Sequence, residues 1–456
     1  MPRVSHHTPT APQQQLLDDL WATEVVPQLP PDLEAQARVL GAFTRRRAIA
    51  SATHLLRAVL ATVLVATSLQ HLGAWAVCTD VADISAPAWH KRLSKCRAWL
   101  LWLLADLLAP PPPPVRLLAH AAGNILLVDA SRIAQIGGSG DDWRMHTAYN
   151  FSVGRVVQVT VTDQRGGEHL GHYRIQAGDI IVADGGYGYR RSVAIVKKQQ
   201  AHLVTRIRPA TFPFETRTGQ VVDVVAALRK RGSTVREWLG WCTDADGERY
   251  QGRLIAAKLP PMEARAARRR AVHAAKKHGR HVQSSTLHVA GWVLLITTLP
   301  QRRWEATAVL RLYRIRWQVE LVFKRMKSVL GMGTVRVHTA VQCEVQILAL
   351  LVAWALQEHE AQQVRRLLEH LSGATHAVPS SWVLTTLSCD VLHQQVRGAW
   401  GQACVRACLP RLQRFLMSRT RADREHQETT ARAWLARRPQ PTIHVVSCER
   451  VDDMAA

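Results

Sequence analysis

The segment from residue 124 to residue 207 constrains the fold most strongly, because short strand patterns follow one another there with a single helix pattern among them. Continuous apolar runs that end in an aspartate, and a strictly alternating run, are both typical of β-strands. The predicted strands are 124–129, 155–163, 169–175, 179–184 and 202–207, and the predicted helix is 188–199. This order predicts a mixed α/β sheet and excludes an all-helical chain.

The first 109 residues have helical periodicity throughout. Residues 68–76 and 85–100 are predicted as two helices joined by a tight connection, and the second carries Lys91, Arg92 and Lys95. Such a pair is typical of a helix-turn-helix whose second helix enters the major groove of DNA. Two amphipathic helices with a basic solvent face would give the same pattern, so both interpretations stay open.

The charge of the chain indicates a polyanionic partner. The 456 residues include 59 Lys and Arg against 35 Asp and Glu, which gives a net charge of +24. Such an excess repels itself unless an anion compensates it, and nucleic acid is the commonest intracellular polyanion. An apolar fraction of 47% excludes a disordered chain. Charged residues interrupt the apolar runs and the first residues lack a secretory signal pattern, so we expect a cytoplasmic protein without a membrane partner.

We expect six consecutive regions, with the α/β core in two parts. They are a helical DNA-binding region (1–109), a proline-rich linker (110–122), the first part of the core (123–207), a strand-rich and basic insertion (208–300), the second part of the core (301–375), and a helical C-terminal region with a polar tail (376–456). The strand order of the core is similar to that of ribonuclease-H-like proteins, although periodicity alone does not select that fold.

The helix predicted from Trp304 to about Leu330 carries an unusual set of polar residues. Tyr313, Arg316, Glu320 and Lys327 fall within an arc of roughly 60°, at about 100° per residue, beside an apolar arc. A solvated face with an i,i+4 ion pair would explain the arginine and the glutamate but not the tyrosine and the lysine. The stripe therefore favours a functional site with a carboxylate flanked by an aromatic ring and two cations.

Asp129 and Asp184 each end a predicted strand. A carboxylate at the tip of a buried strand is held rigidly and is open to solvent at one edge, which suits a hard cation. Taken singly, a strand-end aspartate is more commonly a turn initiator. If the helix that bears Glu320 packs beside these strands, three carboxylates converge and could hold two Mg²⁺ ions.

Together these residues resemble the DDE transposases of the IS4 family. The three acids match the family pattern, and so does the helix spacing Tyr-x2-Arg-x3-Glu-x6-Lys, with a resemblance that extends from the N-terminal helices to about residue 360. The long interval between the second and third acids is also similar to that family, which has a strand-rich insertion there. The resemblance implies an enzyme that cleaves DNA at terminal inverted repeats and joins the freed 3′-OH to target DNA.

The resemblance also implies roles for individual residues. The catalytic and metal-binding acids would be Asp129, Asp184 and Glu320, with two Mg²⁺ ions for which Mn²⁺ could substitute. The contacts to the DNA backbone beside the scissile bond would be Tyr313, Arg316 and Lys327. Trp292 matches in position a tryptophan that stacks on a flipped-out base in some members, and a core tryptophan in a strand is the alternative.

Two features near the predicted acids need separate mention. Many relatives have an arginine after the second acid, where this chain has Gly185. Arg144 and His146 lie close to the first acid in the sequence and are candidates to line the site, although a generic loop cation is the simpler interpretation.

The expected partners are double-stranded DNA, as transposon ends and as target, and a second copy of the chain. We expect a homodimer in the DNA complex because two ends must be joined coordinately, in a bacterial protein associated with the nucleoid. A transposase-derived regulator that binds inverted repeats without cutting is the main alternative, and a ribonuclease-H-like nuclease or resolvase is another. The regulator predicts loss of at least one acid, and all three are present.

Overall fold

The computed structural model describes residues 20–109, 123–371 and 380–416. The chain divides after Trp400 into a large unit and a short second unit. The predicted proline-rich linker, the first residues of the C-terminal region and its polar tail lie outside the described residues. The limits of the six regions therefore stay predictions.

Nine strands of the described residues form one mixed sheet, which confirms the predicted mixed α/β class. They are β1 (Ile125–Gln135), β2 (Trp143–Asn150), β3 (Arg155–Asp163), β4 (Ile180–Ala183), β5 (His202–Arg206), β6 (Val235–Thr243), β7 (Arg249–Lys258), β8 (Trp292–Thr297) and β9 (Thr334–Val335). The order is β3-β2-β1-β4-β5-β8-β7-β6, and β9 pairs with the end of β1. β1, β4 and β5 are parallel, β9 is parallel to β1, and the other neighbours are antiparallel.

Helices precede the sheet, cover it and follow it. Those of the large unit are α1 (Leu33–Val39), α2 (Ala52–Leu64), α3 (Leu69–Cys78), α4 (Ala86–Leu93), α5 (Arg97–Leu108), α6 (Arg190–Lys198), α7 (Val224–Arg229), α8 (Pro261–Lys277), α9 (Ser284–Val289), α10 (Ala306–Arg314), α11 (Trp317–Val329), α12 (Ala340–Leu371) and α13 (Ser381–Arg397). The second unit contains α14 (Gln402–Ala407) and α15 (Leu409–Leu416). Ser51, Ser68 and Ser85 cap α2, α3 and α4, since each hydroxyl accepts a backbone N–H three residues on.

Two predictions in the strand region are wrong. Residues 169–175 do not form a strand, because the side chains of Gln158 and Thr160 donate to the carbonyl of His172 and hold the segment as a short 3₁₀ turn. The first strand does not end at Asp129 but continues to Gln135, because β2 and then β9 pair with it. β2 itself has no simple alternation, and the sequence analysis missed it.

The prediction of a single helix over residues 85–100 is also wrong, because the structure has two helices there. α4 ends at Leu93, where the N–H groups of Ser94 and Lys95 bond back to carbonyls of its last turn, and α5 begins at Arg97. The basic residues of this region consequently lie on a helix of eight residues and on the short connection that follows it.

A long apolar helix organises the core of the large unit. α12 packs against α2, α5 and α13. Residues 340–368 are long and apolar enough to cross a membrane, but 72% of their most apolar window is buried within the protein, which is typical of a core helix. Arg57 of α2 lies between the rings of Trp21 and Trp75 and donates to the carbonyl of Val396 at 3.0 Å, which ties the N-terminal helices to α13.

Candidate active site

Asp129 and Asp184 lie beside each other at one edge of the parallel part of the sheet. Val128 of β1 pairs with Ala183, the last residue of β4, so each aspartate follows the last paired position. Asp184 ends β4 by capping a 3₁₀ turn, since its Oδ1 accepts the N–H of Gly186 at 2.7 Å. Asp129 Oδ1 accepts the N–H of Ala130 at 2.8 Å. The strand pattern thus identified two acids that the fold brings together.

Glu320 is joined to this edge through Arg316. α11 packs against β1, and Arg316 Nη1 lies 3.6 Å from Asp129 Oδ2 while Nη2 lies 2.6 Å from Glu320 Oε1. The side chains of Asp129 and Arg316 are 15% and 17% exposed, whereas that of Glu320 is 49% exposed. One guanidinium therefore connects the first acid with the third, and Glu320 lies on the open side of the site.

The helix predicted from Trp304 to Leu330 is broken in the middle of the polar stripe, which corrects the sequence analysis. The N–H groups of Ile315 and Arg316 bond three residues back, to Leu312 and Tyr313, and this tight turn ends α10 before α11 begins. Tyr313 and Arg316 stay adjacent across this break, since Arg316 Cζ lies 5.9 Å from the centre of the Tyr313 ring. Lys327 lies near the far end of α11 with much of its surface exposed, and desolvation by the surrounding protein lowers the pKa of its amine.

The electrostatics of Asp129 are unusual for an aspartate. Burial raises its pKa to about 7, the negative charges of Asp184 and Glu168 act in the same direction, and the N–H of Ala130 and the Arg316 guanidinium oppose them. A carboxyl group that titrates near neutrality among other carboxylates is characteristic of functional sites. The carboxylates at this edge therefore favour binding of a positively charged group.

Glu168 is a fourth carboxylate at this edge, and the sequence analysis did not identify it. It is partly buried, and burial together with the charge of Asp184 raises its pKa. A side chain at position 186 would overlap the Glu168 carboxylate, so Gly186 allows Glu168 to approach the Asp184 turn. A single glutamate in a turn-rich segment gives no distinctive signal in a sequence.

Arg206 is a second residue that the sequence analysis missed. It is the exposed last residue of β5, and the pairing of Thr205 with Ala183 places it beside Asp184. A Cβ built at Gly185 would lie 3.9 Å from Arg206 Cβ. The charge of Arg206 also acts on Tyr313. Burial raises the pKa of Tyr313, and the charges of Arg316 and Arg206 oppose that rise. A cation thus lies close to the position where many relatives carry an arginine.

Arg144 and His146 lie on β2 rather than in a loop. Arg144 pairs with Asp141 at 3.3 Å and contributes positive charge near Glu168. His146 is fully buried, lies 3.0 Å from the Thr162 hydroxyl, and its pKa falls to about 3, mainly through burial. A neutral histidine in that position is a packing group of the sheet.

Trp292 is the first residue of β8 and is 5% exposed. The guanidinium of Arg236 lies 5.0 Å from the centre of its ring. A buried ring that stacks on a cation agrees with the alternative of a core tryptophan, and stacking of Trp292 on a flipped base stays a prediction. In the predicted helix-turn-helix, Lys91 and Lys95 are exposed, whereas Arg92 is partly buried and donates to the carbonyl of Ala42 at 3.3 Å.

The donor set at this edge fits a hard divalent cation. Carboxylate oxygens are the ligands that Mg²⁺ and Mn²⁺ prefer, and the buried charge of Asp129 calls for a counter-cation. In this conformation the counter-cation is Arg316. Within the described ranges no three acidic, histidine or cysteine side chains are close enough to share a metal ion.

Comparisons with known proteins give a consistent result. Residues 120–356 match the family described as Transposase DDE domain. The chain is 35% identical over 333 residues to InsL, named as a transposase of insertion sequence element IS186A in Escherichia coli K12, which is 71% of this chain and 89% of the relative. It is also 35% identical over 334 residues, with the same shares of both chains, to the transposase of insertion sequence element IS421 in Escherichia coli.

Proposed function

The chain belongs to the DDE transposase family, within its IS4 group, and on that premise we propose that Asp129, Asp184 and Glu320 are its catalytic and metal-binding acids. It is a transposase of an insertion sequence, an enzyme that cleaves DNA and transfers the cut strand. The observation that carries the residue assignment is the position of the two aspartates, each directly after the last paired residue of two adjacent parallel strands, with Arg316 linking Asp129 to Glu320.

The core is of the ribonuclease-H-like type in this proposal, with a strand-rich insertion. The support is the strand order, in which three antiparallel strands are followed by two that are parallel to the first. The insertion then adds β6, β7 and β8 to the same sheet beyond β5. We assign recognition of the transposon ends to the N-terminal helices, with Lys91, Arg92 and Lys95 as candidate DNA contacts.

Two Mg²⁺ ions, with Mn²⁺ as a substitute, would be held by the three acids and would supply activation of the attacking oxygen and stabilisation of the leaving oxygen. Arg316 is suited to phosphate because its planar fork can bond two oxygens at once. A DNA phosphate that takes this guanidinium removes it from Asp129 and leaves Glu320 free to act with the aspartates. Tyr313 can donate its hydroxyl to a neighbouring phosphate oxygen, and Lys327 adds a point charge farther along the backbone.

The reaction has two in-line displacements at phosphorus, without a covalent protein intermediate. In the first, a water oxygen attacks the phosphodiester at the element end, and the bond to the 3′ oxygen breaks to leave a free 3′-OH. In the second, this 3′-OH attacks a phosphodiester of the target and displaces the 3′ oxygen there. The protein positions the two phosphates, and the proton that the attacking group loses is balanced by the one that the departing 3′ oxygen takes up.

A homodimer in the complex with both ends remains part of the proposal, since the two ends must be joined together. Small-angle scattering of the DNA complex checks it, and one protomer per pair of ends would contradict it. The proposed location is the bacterial cytoplasm, in association with the nucleoid, which agrees with the net charge of +24.

The proposed function is tested by incubating the protein with Mg²⁺ and the genomic DNA that flanks its coding region, and by mapping the cut ends. We expect cleavage at both element boundaries that leaves 3′-OH ends, followed by products joined to target DNA. Binding without cleavage would instead identify a DNA-binding regulator. Cleavage without joined products would identify a nuclease or resolvase.

Replacement of Arg206 tests whether the cation beside Gly185 binds DNA. Arg206→Ala should weaken binding of flanking DNA and reduce the slope of log affinity against log salt by about 1, because one phosphate contact is lost. Gly185→Arg added to Arg206→Ala should restore the slope, since the two Cβ positions lie 3.9 Å apart and a Cβ at 185 makes only ordinary van der Waals contacts. Arg229→Ala, at an exposed arginine that ends α7, is the control, and equal slopes for Arg206→Ala and Arg229→Ala would contradict the assignment.

A further inference from the structure

A pair of buried phenols connects the two segments that carry the aspartates. The hydroxyl of Tyr173 donates to the main-chain oxygen of Asp129 at 3.1 Å and lies 2.8 Å from the hydroxyl of Tyr187. Tyr187 belongs to the 3₁₀ turn that Asp184 caps. A short chain of hydrogen bonds therefore runs from β1 at the first acid to the turn at the second acid, and it does not use either carboxylate.

The direction of these hydrogen bonds follows from the number of donors. Each phenol has one O–H group. Tyr173 uses its own on the carbonyl of Asp129, so the second bond is donated by Tyr187 to the oxygen of Tyr173. Tyr187 is fully buried and Tyr173 is 7% exposed, and burial raises the pKa of both hydroxyls. Both phenols therefore stay neutral, and the chain keeps this direction throughout the neutral pH range.

The position of this chain coincides with the end of the strand pairing. β1 and β4 are in register up to Val128 and Ala183, and beyond that point Asp184 enters its turn. The main-chain oxygen of Asp129 accepts a side-chain hydroxyl there. The two phenols thus extend the connection beyond the last paired residues, from the main chain of Asp129 to the turn that Asp184 caps.

We propose that Tyr173 and Tyr187 are positioning residues that fix the distance between Asp129 and Asp184, and through it the affinity of this pair for a divalent cation. The inference rests on the proposed role of the two aspartates. Removal of residues that hydrogen-bond to metal ligands without binding the metal themselves lowers the metal affinity by about 10- to 100-fold, because the ligands lose their common geometry. Neither tyrosine touches the DNA or the ion in this proposal.

Tyrosine-to-phenylalanine substitutions test the inference, because they remove the hydroxyl and leave the ring packing in place. In the full-length protein bound to its flanking DNA, Tyr173→Phe should weaken Mn²⁺ binding by about 10-fold, as measured by electron paramagnetic resonance of free Mn²⁺. Tyr187→Phe should have a smaller or equal effect. The double variant should be no worse than Tyr173→Phe, since both changes break one chain. DNA affinity in EDTA should stay within about two-fold of the parent, which a general loss of structure would not allow.

Tyr149→Phe is the matched control. Its phenol lies on β2, is partly buried, and has Glu358 and Arg325 as its charged neighbours rather than the aspartates. Unchanged Mn²⁺ affinity in both Tyr173→Phe and Tyr187→Phe would overturn the inference, as would a parallel loss of DNA binding in EDTA. A parent protein that binds DNA but no Mn²⁺ would overturn the proposed metal site itself, and the inference with it.

Discussion

Glu320→Gln is expected to reduce Mg²⁺-dependent cleavage at the element ends by at least about 10³-fold, which corresponds to roughly 4 kcal/mol of lost transition-state stabilisation. The substitution keeps the size of the side chain and removes its charge. Fold stability should change little, because the side chain is 49% exposed and its ion pair with Arg316 is partly solvated. Single-turnover cleavage of flanking DNA at saturating protein measures the effect.

Binding of the same DNA should be kept or slightly strengthened by Glu320→Gln, because a negative charge beside the phosphates disappears. This separation of binding from cleavage distinguishes a catalytic acid from a residue that shapes the fold. Glu263→Gln is a suitable control, since Glu263 is an exposed acid in the first turn of α8, as Glu320 is in α11. Cleavage by Glu320→Gln within ten-fold of the parent would contradict the assignment.

Asp129→Asn is expected to abolish cleavage and, at the same time, to make the metal-free protein more stable above pH 7. Burial and neighbouring carboxylates raise the pKa of Asp129 to about 7, from an ordinary value of 3.8. The folded state holds this proton more tightly than the unfolded state, so the parent loses stability as pH rises from about 4 to about 7. Asparagine does not titrate, so the variant does not lose this stability as the pH rises.

The stability gain of Asp129→Asn should therefore be absent near pH 4 and complete above about pH 7. We expect about 1–3 kcal/mol, less than the roughly 4 kcal/mol that the full shift would give, because the substitution also ends the contact with Arg316. Urea unfolding in EDTA at pH 4.5 and pH 8.5 measures it. Asp246→Asn, at a carboxylate that is 76% exposed, should show no such dependence. A less stable Asp129→Asn protein at pH 8.5 would contradict the electrostatic account.

Much of the candidate site could be predicted from local sequence patterns. Asp129 and Asp184 follow apolar runs whose strands are parallel neighbours in the sheet. The spacing of Arg316 and Glu320 places them one helical turn apart, and they form the expected ion pair. In each of these cases the signal is a periodicity or a residue spacing within one strand or helix. It can be read from the sequence because it does not depend on contacts with distant segments.

The remaining features depend on contacts between distant segments. Glu168 and Arg206 reach the site through a loop and a strand end, and a single charged residue has no periodic signal. The burial of Trp292 involves Arg236 of β6, 56 positions earlier in the chain. The break between α10 and α11 leaves the helical periodicity almost unchanged, and for that reason the sequence predicts one helix where the structure has two.

The most direct test of the central claim is a crystal structure of the protein with its flanking DNA and Mn²⁺, in which anomalous scattering locates the ions. The account predicts Mn²⁺ within about 2.0–2.3 Å of carboxylate oxygens of Asp129, Asp184 and Glu320, with Arg316 moved from Asp129 to a DNA phosphate. An ion-free edge at which Arg316 still bridges Asp129 and Glu320, with cleavable DNA bound, would contradict it.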